Sequence, residues 1–329
     1  MKSWPCVAPG GGTEVGVAEL ADDLRAAQHD GVAFDIAAEA AFGARTTYRV
    51  GGCAALMVTV VNPVSMAPLL ACVARHDVPM VTLGRGSNML VADRGFEGLV
   101  VVLGAWAERI EITEADDEAC VRVIAGAAAQ LPVVARRTAT AGVTGFEWGV
   151  GVPGTIGGAV RMNAGGHGAD MAASLAGIDV ATRSGLSPMP ASALGLGFRS
   201  STLDDDQIVI SAELRLAPGD AAQSVARVDE IVRWRRENQP GGQNCGSVFV
   251  NPEPGRVAAG ELIDRLGLRG FRIGTAEVST KHANFIQADP GGRADDVAAV
   301  MAEVRTRVHE ATGYLLRSEV RLIGFEEVS

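Results

Sequence analysis

LGRGSN at residues 83–88 and GVGVPGTIGG at residues 149–158 are the two glycine-rich stretches that decide how this chain folds. Each follows or borders an apolar segment, and each strings together backbone N–H groups with little side-chain bulk around them. A main chain that must touch phosphate oxygens needs this combination. Two such loops in one chain predict a long cofactor with two phosphates, held at two points.

The first loop ends a β-α-β-like unit. A strand-like run over residues 54–61 precedes a helical pattern over 64–76, and a second apolar run over 78–84 leads into the loop. Ser87 and Asn88 offer hydrogen-bonding groups to a pyrophosphate, and Arg85 adds a positive charge. On these residues alone, an ordinary polar turn stays open as the alternative.

The second loop formally matches the G-x-G-x-x-G pattern at Gly149, Gly151 and Gly154. A Rossmann interpretation is disfavoured, because no clear strand of branched residues precedes the motif and no convincing acidic residue follows at the required spacing. Pro153 also lies inside the motif. An ordinary loop with tight backbone packing stays open as the alternative here.

The rest of the pattern mixes helices and strands without strict alternation, which favours an α+β fold over a doubly wound sheet. Residues 109–113 and 120–126 alternate and predict a hairpin across the acidic turn at 114–118. Residues 1–17 are rich in glycine and are predicted to be disordered. The other expected helices are 18–28, 129–141, 220–237, 258–268 and 295–313, and the other expected strands are 99–104, 177–185, 207–217, 248–250 and 318–325.

The composition excludes several classes of protein. Apolar residues make up 47% and charged residues 21% of the chain, as in a globular protein with a sizeable core. The net charge of −10 argues against a general nucleic-acid binder and against an anionic membrane surface as partner. The scattered cysteines fit a reduced, cytoplasmic protein without a disulfide framework or a cysteine zinc site. No apolar run approaches the ~20 residues of a membrane span, and no secretory signal is expected.

Further motifs run along the chain in a fixed order: TTYRVGG (46–52), LGRGSNMLV (83–91), GVPGTIGGAVRMNAGG (151–166), LGFRSS (196–201), NCGSVFVNP (244–252), KHANFI (281–286) and RSEVRLIG (317–324). In this order and at this spacing they resemble the UDP-N-acetylenolpyruvoylglucosamine reductase family. Its members are flavoenzymes of bacterial peptidoglycan precursor synthesis. The resemblance spans roughly residues 35–326, and the ordered set is far more specific than any one motif.

The resemblance implies an α+β fold with three domains. A vanillyl-alcohol-oxidase-like FAD-binding module supplies two of them, and a C-terminal domain binds the substrate. The expected boundaries are 18–105 for the first FAD-binding domain, with a closing strand at 318–326, 106–217 for the second and 218–317 for the substrate-binding domain.

The resemblance also implies the reaction. NADPH reduces FAD and leaves, and the enolpyruvyl ether of UDP-N-acetylglucosamine then receives hydride at its methylene carbon and a proton at the adjacent carbon. This chemistry needs electrostatic stabilisation of a developing enolate and a placed proton donor. By motif position, Arg199 and Glu319 match the stabilising pair and Ser247 matches the proton donor.

The family's binding residues carry over to this chain by the same motifs. FAD is expected to be non-covalent, because the first loop lacks a histidine for attachment. Near His167 this chain has GGHG (165–168) where many relatives have A-Y-G, so a contact of His167 with cofactor or substrate stays open. At Asn238 relatives often have lysine. The expected FAD contacts are Tyr48, Gly84, Arg85, Gly86, Ser87, Asn88, Gly149, Gly151, Pro153, Gly154, Gly157, Gly158, Asn163 and Arg317, and the expected substrate contacts are Asn251, Lys281, His282, Arg236 and Asn238.

Two other functions stay open at this point. One is an FAD-dependent sugar or hydroxy-acid oxidase of the same fold, in which Ser247 and Glu319 would have no obvious task. The other is a catalytically silent flavin or nucleotide-sugar binding protein. The expected partners are NADPH and the enolpyruvyl nucleotide sugar, with no metal, no nucleic acid and no membrane insertion, and the protein is expected to be a cytoplasmic monomer.

Overall fold

The N-terminal helix begins earlier than its sequence pattern predicts. The structure is a computed structural model that describes residues 14–29, 31–114, 120–182 and 184–325. The first helix, α1, spans Glu14–Ala26, so the predicted disorder is wrong for residues 14–17. Val17 is the physical reason, because it is buried in the same core as Leu20 and Leu24. The prediction for residues 1–13 lies outside the described residues.

The first domain is built on a four-stranded sheet with the order β1-β2-β5-β3. Strands β2 and β3 pair in parallel with β5, as the predicted β-α-β unit requires, and β1 adds an antiparallel edge. Sequence patterning missed β1, because it is rich in alanine and mostly exposed. Its elements are β1 (Phe34–Ala41), β2 (Cys53–Val60), α2 (Met66–Val73), β3 (Met80–Thr82), β4 (Met89–Val91) and β5 (Phe96–Leu103).

The second domain contains a larger antiparallel sheet with the order β12-β11-β13-β7-β6, and β8 pairs separately with β13. The predicted hairpin is present as β6 and β7, and its acidic turn lies outside the described residues. Its elements are β6 (Ile110–Glu114), β7 (Val121–Gly126), α3 (Leu131–Thr140), β8 (Val143–Thr144), α4 (Ile156–Arg161), β9 (Gly165–Gly166), β10 (Ala169–Asp170), β11 (Leu175–Thr182), β12 (Gly185–Pro190), β13 (Ile208–Pro218) and α5 (Ala221–Asn238).

The third domain packs a long helix on a small antiparallel sheet and has its own apolar core. Its elements are α6 (Ala259–Arg265), β14 (Arg272–Ile273), β15 (Ala276–Val278), β16 (Ile286–Ala288) and α7 (Ala294–Thr312). The expected strand at 248–250 forms only a single bridge, between Phe249 and Ser318.

Two segments tie the domains together. Helix α5 packs on α3, and its Val228 and Ile231 are buried in the core of the first two domains. This packing favours a boundary after Asn238 over the predicted one at 217–218. The last strand, β17 (Arg321–Ile323), returns to the first domain and pairs in parallel with β4.

The described residues also bear on the cysteines and on membrane and metal sites. Cys72, Cys120 and Cys245 are free. Cys53 is disulfide-bonded, so the expectation of wholly reduced cysteines is wrong at this residue. In these ranges no helix is both long and apolar enough to cross a membrane. The same ranges contain no group of acidic, histidine and cysteine side chains that could hold a metal ion.

Candidate active site

The two glycine-rich loops lie side by side along one wall of a cleft with a volume of about 400 Å³. A Cβ atom on Gly84 would lie 2.4 Å from Thr155 Oγ1, and one on Gly154 would lie 3.4 Å from Ser87 Oγ. Glycine at position 84 therefore lets the loops touch, whereas a Cβ atom at position 154 would make an ordinary contact. The two predicted loops form one continuous cradle.

The first loop presents free hydrogen-bond donors to the cleft. Gly86 has a φ of +58°, and its carbonyl oxygen accepts a hydrogen bond from Thr47 N–H at 3.2 Å. In the described part of the chain, the N–H groups of residues 84–88 donate to no protein acceptor. Successive N–H groups that face a cavity make a concave site for an anion. The cradle therefore fits a pyrophosphate.

Arg199 sits at the tip of a tight hairpin formed by the LGFRSS motif. Gly197 N–H donates to Ser200 O at 3.0 Å, and Ser200 N–H donates back to Gly197 O at 3.3 Å. Arg199 therefore occupies a turn position, with a φ of +54° in the left-handed region. For a residue other than glycine this conformation costs of order 1 kcal/mol, and such costs concentrate at functional sites.

The Arg199 guanidinium is fixed against the second domain and faces Glu319. Its Nη2 donates to Gly165 O at 2.7 Å and its Nη1 donates to Asn163 O at 3.4 Å. Its Nε lies 3.9 Å from Glu319 Oε2. The two side chains are 26% and 18% exposed, so both charges lie in a largely dry wall of the cleft.

Glu319 combines burial with two nearby cations. Burial raises the pKa of this carboxyl above its ordinary value of 4.5, while Arg199 and Arg317 act in the opposite direction. A raised pKa favours the protonated form, which is a hydrogen-bond donor. Arg317 lies with Arg199 and Glu319 in a smaller adjoining cavity of about 150 Å³, and it is absent from the described lining of the main cleft.

Ser247 lines the same cleft on a segment that is fixed by its neighbours. Val248 N–H donates to Asn284 O at 2.8 Å, and the Asn284 amide bonds both polar backbone groups of Phe249. Asn284 thus replaces a strand partner for this segment. Beside Ser247, burial raises the pKa of Cys245 to about 12, which disfavours a thiolate nucleophile.

The structure does not bring every predicted cofactor residue to the cleft. Gly149 packs against the Phe146 ring, which a Cβ atom would approach to 2.8 Å. Tyr48 is fully buried in the core of the third domain. The buried Asn163 amide donates to Gly197 O at 2.9 Å and accepts from Ala172 N–H at 3.0 Å, so it supports the hairpin that carries Arg199. Gly151, Pro153, Gly157 and Gly158 line the cleft, and their contact with FAD stays a prediction.

Of the five predicted substrate contacts, one lines the cleft and four are absent from its described lining. Asn251 lines the cleft, and its side chain accepts a hydrogen bond from Ala259 N–H at 3.0 Å. Lys281 Nζ donates to Arg236 O at 2.6 Å, and Asn238 Nδ2 donates to Trp234 O at 2.8 Å. The described lining of the cleft includes none of Lys281, His282, Arg236 and Asn238. Their assignment as substrate contacts stays a prediction.

His167, a departure from the family pattern, packs against the second domain. Its ring meets the Trp234 ring edge to face, with 5.0 Å between centroids. Burial lowers its pKa below the ordinary 6.5, and Arg227 and Arg235 add to this effect. The His167 ring also covers Gly151, where a Cβ atom would lie 3.1 Å from it.

Sequence reasoning missed several charged residues of the cleft. Arg161 Nη2 bonds Asp205 Oδ1 at 2.8 Å, and Arg321 Nη2 lies 3.0 Å from the same oxygen. Arg235 reaches the cleft from α5 and donates to Gln239 Oε1 at 2.7 Å. Arg161 and Arg321 lie inside quoted motifs, but their separation along the chain gave no signal that they share Asp205. Arg235 belongs to the run of basic residues RWRR at 233–236, whose local positive charge is visible in the sequence.

Comparison with known proteins identifies the two halves of the chain. Residues 238–323 match the model of the UDP-N-acetylenolpyruvoylglucosamine reductase C-terminal domain, and residues 54–186 match an FAD binding domain. A UDP-N-acetylenolpyruvoylglucosamine reductase from Gloeobacter violaceus is 41% identical over 283 residues, covering 85% of this chain and 93% of that protein. One from Anaeromyxobacter sp. is 38% identical over 304 residues, covering 92% and 93%.

A solved structure matches at the level of the fold. The crystal structure of UDP-N-acetylenolpyruvylglucosamine reductase from Thermus caldophilus is 31% identical in sequence, with a TM-score of 0.73. The match covers 88% of this chain and 99% of the other. The fold and the sequence motifs therefore agree over nearly the whole of the matched protein.

Proposed function

The chain belongs to the UDP-N-acetylenolpyruvoylglucosamine reductase family, and from this premise we propose the role of each residue of its cleft. It is an FAD-dependent oxidoreductase that uses NADPH to reduce the enolpyruvyl ether of UDP-N-acetylglucosamine to UDP-N-acetylmuramate. This reaction is a step of peptidoglycan precursor synthesis. The roles of individual residues rest on the geometry of the cleft.

The cradle fits FAD because the N–H groups of residues 84–88 line the cleft and donate to no acceptor in the described part of the chain. Gly84–Asn88 and Gly151–Gly158 would hold this part of the cofactor. When bound, FAD supplies the hydride transfer that protein side chains cannot perform. Arg85 adds a positive charge beside the pyrophosphate.

Other residues of the same cleft handle the substrate. Arg199 would bind the carboxylate of the enolpyruvyl group, since its guanidinium is already oriented by Gly165 O and Asn163 O. Negative charge that develops on this carboxylate and its carbon is stabilised by Arg199, and Glu319 adds a hydrogen bond in its protonated form, which its raised pKa favours. Ser247 donates the proton to the carbon next to the carboxylate.

A single observation carries this proposal: Arg199, Glu319 and Ser247, which come from three separate motifs, line one cleft together with both glycine-rich loops. An oxidase would require no proton donor opposite the cofactor. A silent binding protein would require no strained arginine beside a buried carboxyl group. The arrangement therefore favours the reductase over both alternatives.

Ser247→Ala tests the proton donor in single-turnover absorbance experiments without oxygen. We expect NADPH to bleach the variant at the wild-type rate, and the enolpyruvyl substrate to restore the colour 10²- to 10⁴-fold more slowly, the usual range for loss of a general acid. Ser184→Ala, on the exposed β11–β12 turn, is the matched control. A wild-type reoxidation rate in Ser247→Ala would contradict the assignment.

The physical setting of the enzyme is a further part of the proposal. We expect a cytoplasmic monomer with small-molecule partners, because the substrate is a soluble nucleotide sugar and all three catalytic side chains come from one chain. The negative net charge of −10 disfavours nucleic acid as a partner. Sedimentation of the purified protein over a range of concentrations tests the oligomeric state.

A further inference from the structure

Asn88 lies where the FAD cradle meets the segment that carries Glu319. Its side-chain Nδ2 donates to Glu319 O at 2.8 Å, and its backbone carbonyl accepts from Arg321 N–H at 3.0 Å. Glu319 N–H donates on the other side to Val248 O at 2.8 Å. The backbone of Glu319 is thus fixed between the cradle and the segment that carries Ser247.

The ladder between β4 and β17 explains why a side chain makes this bond. In the parallel register, Arg321 pairs with Met89, and Arg321 N–H bonds the carbonyl oxygen of residue 88. If the same ladder ran on by two residues, the backbone N–H of Asn88 would donate to Glu319 O. The side-chain amide of Asn88 makes that bond instead.

The substitution leaves the backbone N–H of Asn88 free. This N–H is one of those that donate to no acceptor within the described part of the protein, and Asn88 lines the cleft. Asparagine suits both tasks, because its amide is short and carries a donor. Aspartate is acceptor-only when ionised, alanine has no polar group, and glutamine is longer by one methylene.

We propose that Asn88 is a positioning residue for Glu319: its side-chain amide replaces its own backbone N–H in the β4–β17 ladder, so that one residue serves the cofactor with its main chain and the catalytic carboxyl group with its side chain. The inference rests on the proposed function. It assigns the Asn88 side chain to the substrate half of the reaction, while only the main chain contributes to the cradle.

The test uses Asn88→Ala and the isosteric Asn88→Asp, which lacks the donor when ionised. Asn88→Ala leaves the backbone N–H in place and adds no charge, so we expect its dissociation constant for FAD to change less than threefold and NADPH to bleach it at nearly the wild-type rate. Asn88→Asp adds a carboxylate beside the cradle, so for this variant only the reoxidation of the reduced, FAD-loaded protein is compared. Reoxidation by the enolpyruvyl nucleotide sugar should slow 10- to 100-fold. The pH profile of reoxidation should also shift, because the burial of the Glu319 carboxyl group is no longer fixed by the hydrogen bond to Glu319 O.

A second readout needs no cofactor. In the FAD-free protein, hydrogen exchange in peptides that contain residues 317–321 should become faster in Asn88→Ala. Asn62→Ala is the matched control, since Asn62 Nδ2 also donates to a backbone carbonyl, Gly31 O at 2.8 Å, on an exposed surface. We expect this control to alter neither half-reaction nor exchange at 317–321.

Two results would overturn the inference. Weaker FAD binding with both half-reactions slowed equally would make the Asn88 side chain a cofactor contact. Unchanged reoxidation, pH profile and exchange would leave the bond to Glu319 O without a role. Failure of the proposed function is distinguishable, because the wild-type protein itself would then not be reoxidised by the enolpyruvyl nucleotide sugar.

Discussion

At the scale of one residue, the backbone conformation of Arg199 is unfavourable for an arginine, while its side-chain contacts require one. Its left-handed φ of +54° favours glycine, whereas its guanidinium has an acceptor on the second domain and a carboxylate partner at 3.9 Å. The LGFRSS motif marked Arg199 as a candidate catalytic residue. The motif could not give its conformation, because the turn is imposed by Gly197 and Ser200, which hydrogen-bond each other.

Arg199→Gly should separate stability from activity. Glycine relieves the backbone cost but loses the bonds to Gly165 O and Asn163 O, so we expect the free energy of unfolding to change by less than about 1 kcal/mol. We expect kcat for the enolpyruvyl substrate to fall at least 10²-fold. Urea unfolding and steady-state kinetics measure the two. Arg199→Ala, which keeps the cost without the charge, should be less stable than Arg199→Gly, and the reverse order would contradict the strain.

Glu319 makes stability depend on pH. Burial raises its pKa in the folded protein above 4.5, so its contribution to stability is fully present below pH 4.5 and is lost as the pH rises through the raised pKa. Glu319→Gln should remove this loss. Urea unfolding of FAD-free protein at pH 4.5 and at about pH 8 measures it, with Glu310→Gln on an exposed face of α7 as control. An equal pH dependence in wild type and Glu319→Gln would contradict the prediction.

At the scale of elements, α5 shows what sequence patterning can and cannot provide. The pattern gave its helical character and nearly its bounds, since the helix spans Ala221–Asn238. The pattern could not show which domain it joins, because an apolar stripe does not identify its partner. Likewise β1 was missed, since its alanines and exposed positions lack the alternation typical of a strand.

Lys281 contacts the C-terminal end of α5, where its ammonium group donates a hydrogen bond to Arg236 O in the last turn of the helix. A cation there interacts favourably with the helix dipole, so we expect Lys281→Ala to cost about 0.5 kcal/mol of stability with an unchanged KM for the nucleotide sugar. Thermal unfolding and steady-state kinetics test this. A several-fold increase in KM would instead support the predicted substrate contact. Arg269→Ala, which removes another exposed cation of the third domain, is the control.

At the scale of the whole molecule, the site depends on contacts between domains that no local pattern encodes. Asp93 of the first domain accepts hydrogen bonds from Ala294 N–H at 2.9 Å and from Asp295 N–H at 3.2 Å, and it pairs with Arg293. It therefore caps α7 from another domain. The family motifs predicted the three-domain plan, but the cap joins residues about 200 positions apart, beyond the reach of any capping pattern.

Asp93→Ala should loosen the third domain. We expect a loss of about 1–2 kcal/mol, faster hydrogen exchange in the first turn of α7, and a lower kcat, because the third domain carries Ser247. Asp220→Ala removes an ordinary cap within α5, where Asp220 Oδ1 accepts from Gln223 N–H at 2.8 Å. This control should lose similar stability without a change in kcat. Equal kcat values for the two variants would contradict an interdomain role for Asp93.

The pairing of β4 with β17 also bears on how the protein is made. Synthesis proceeds from the N-terminus, so Met89–Val91 emerges long before its only ladder partner among the described strands, Arg321–Ile323. Until then the nascent chain carries an unpaired, apolar strand edge, a surface on which chains associate wrongly. A chain that is released before residue 321 therefore lacks the partner strand of β4, and we expect it to aggregate as well as to be inactive. The edge of Met89–Val91 is therefore covered only after Arg321–Ile323 has been synthesised and has paired with it.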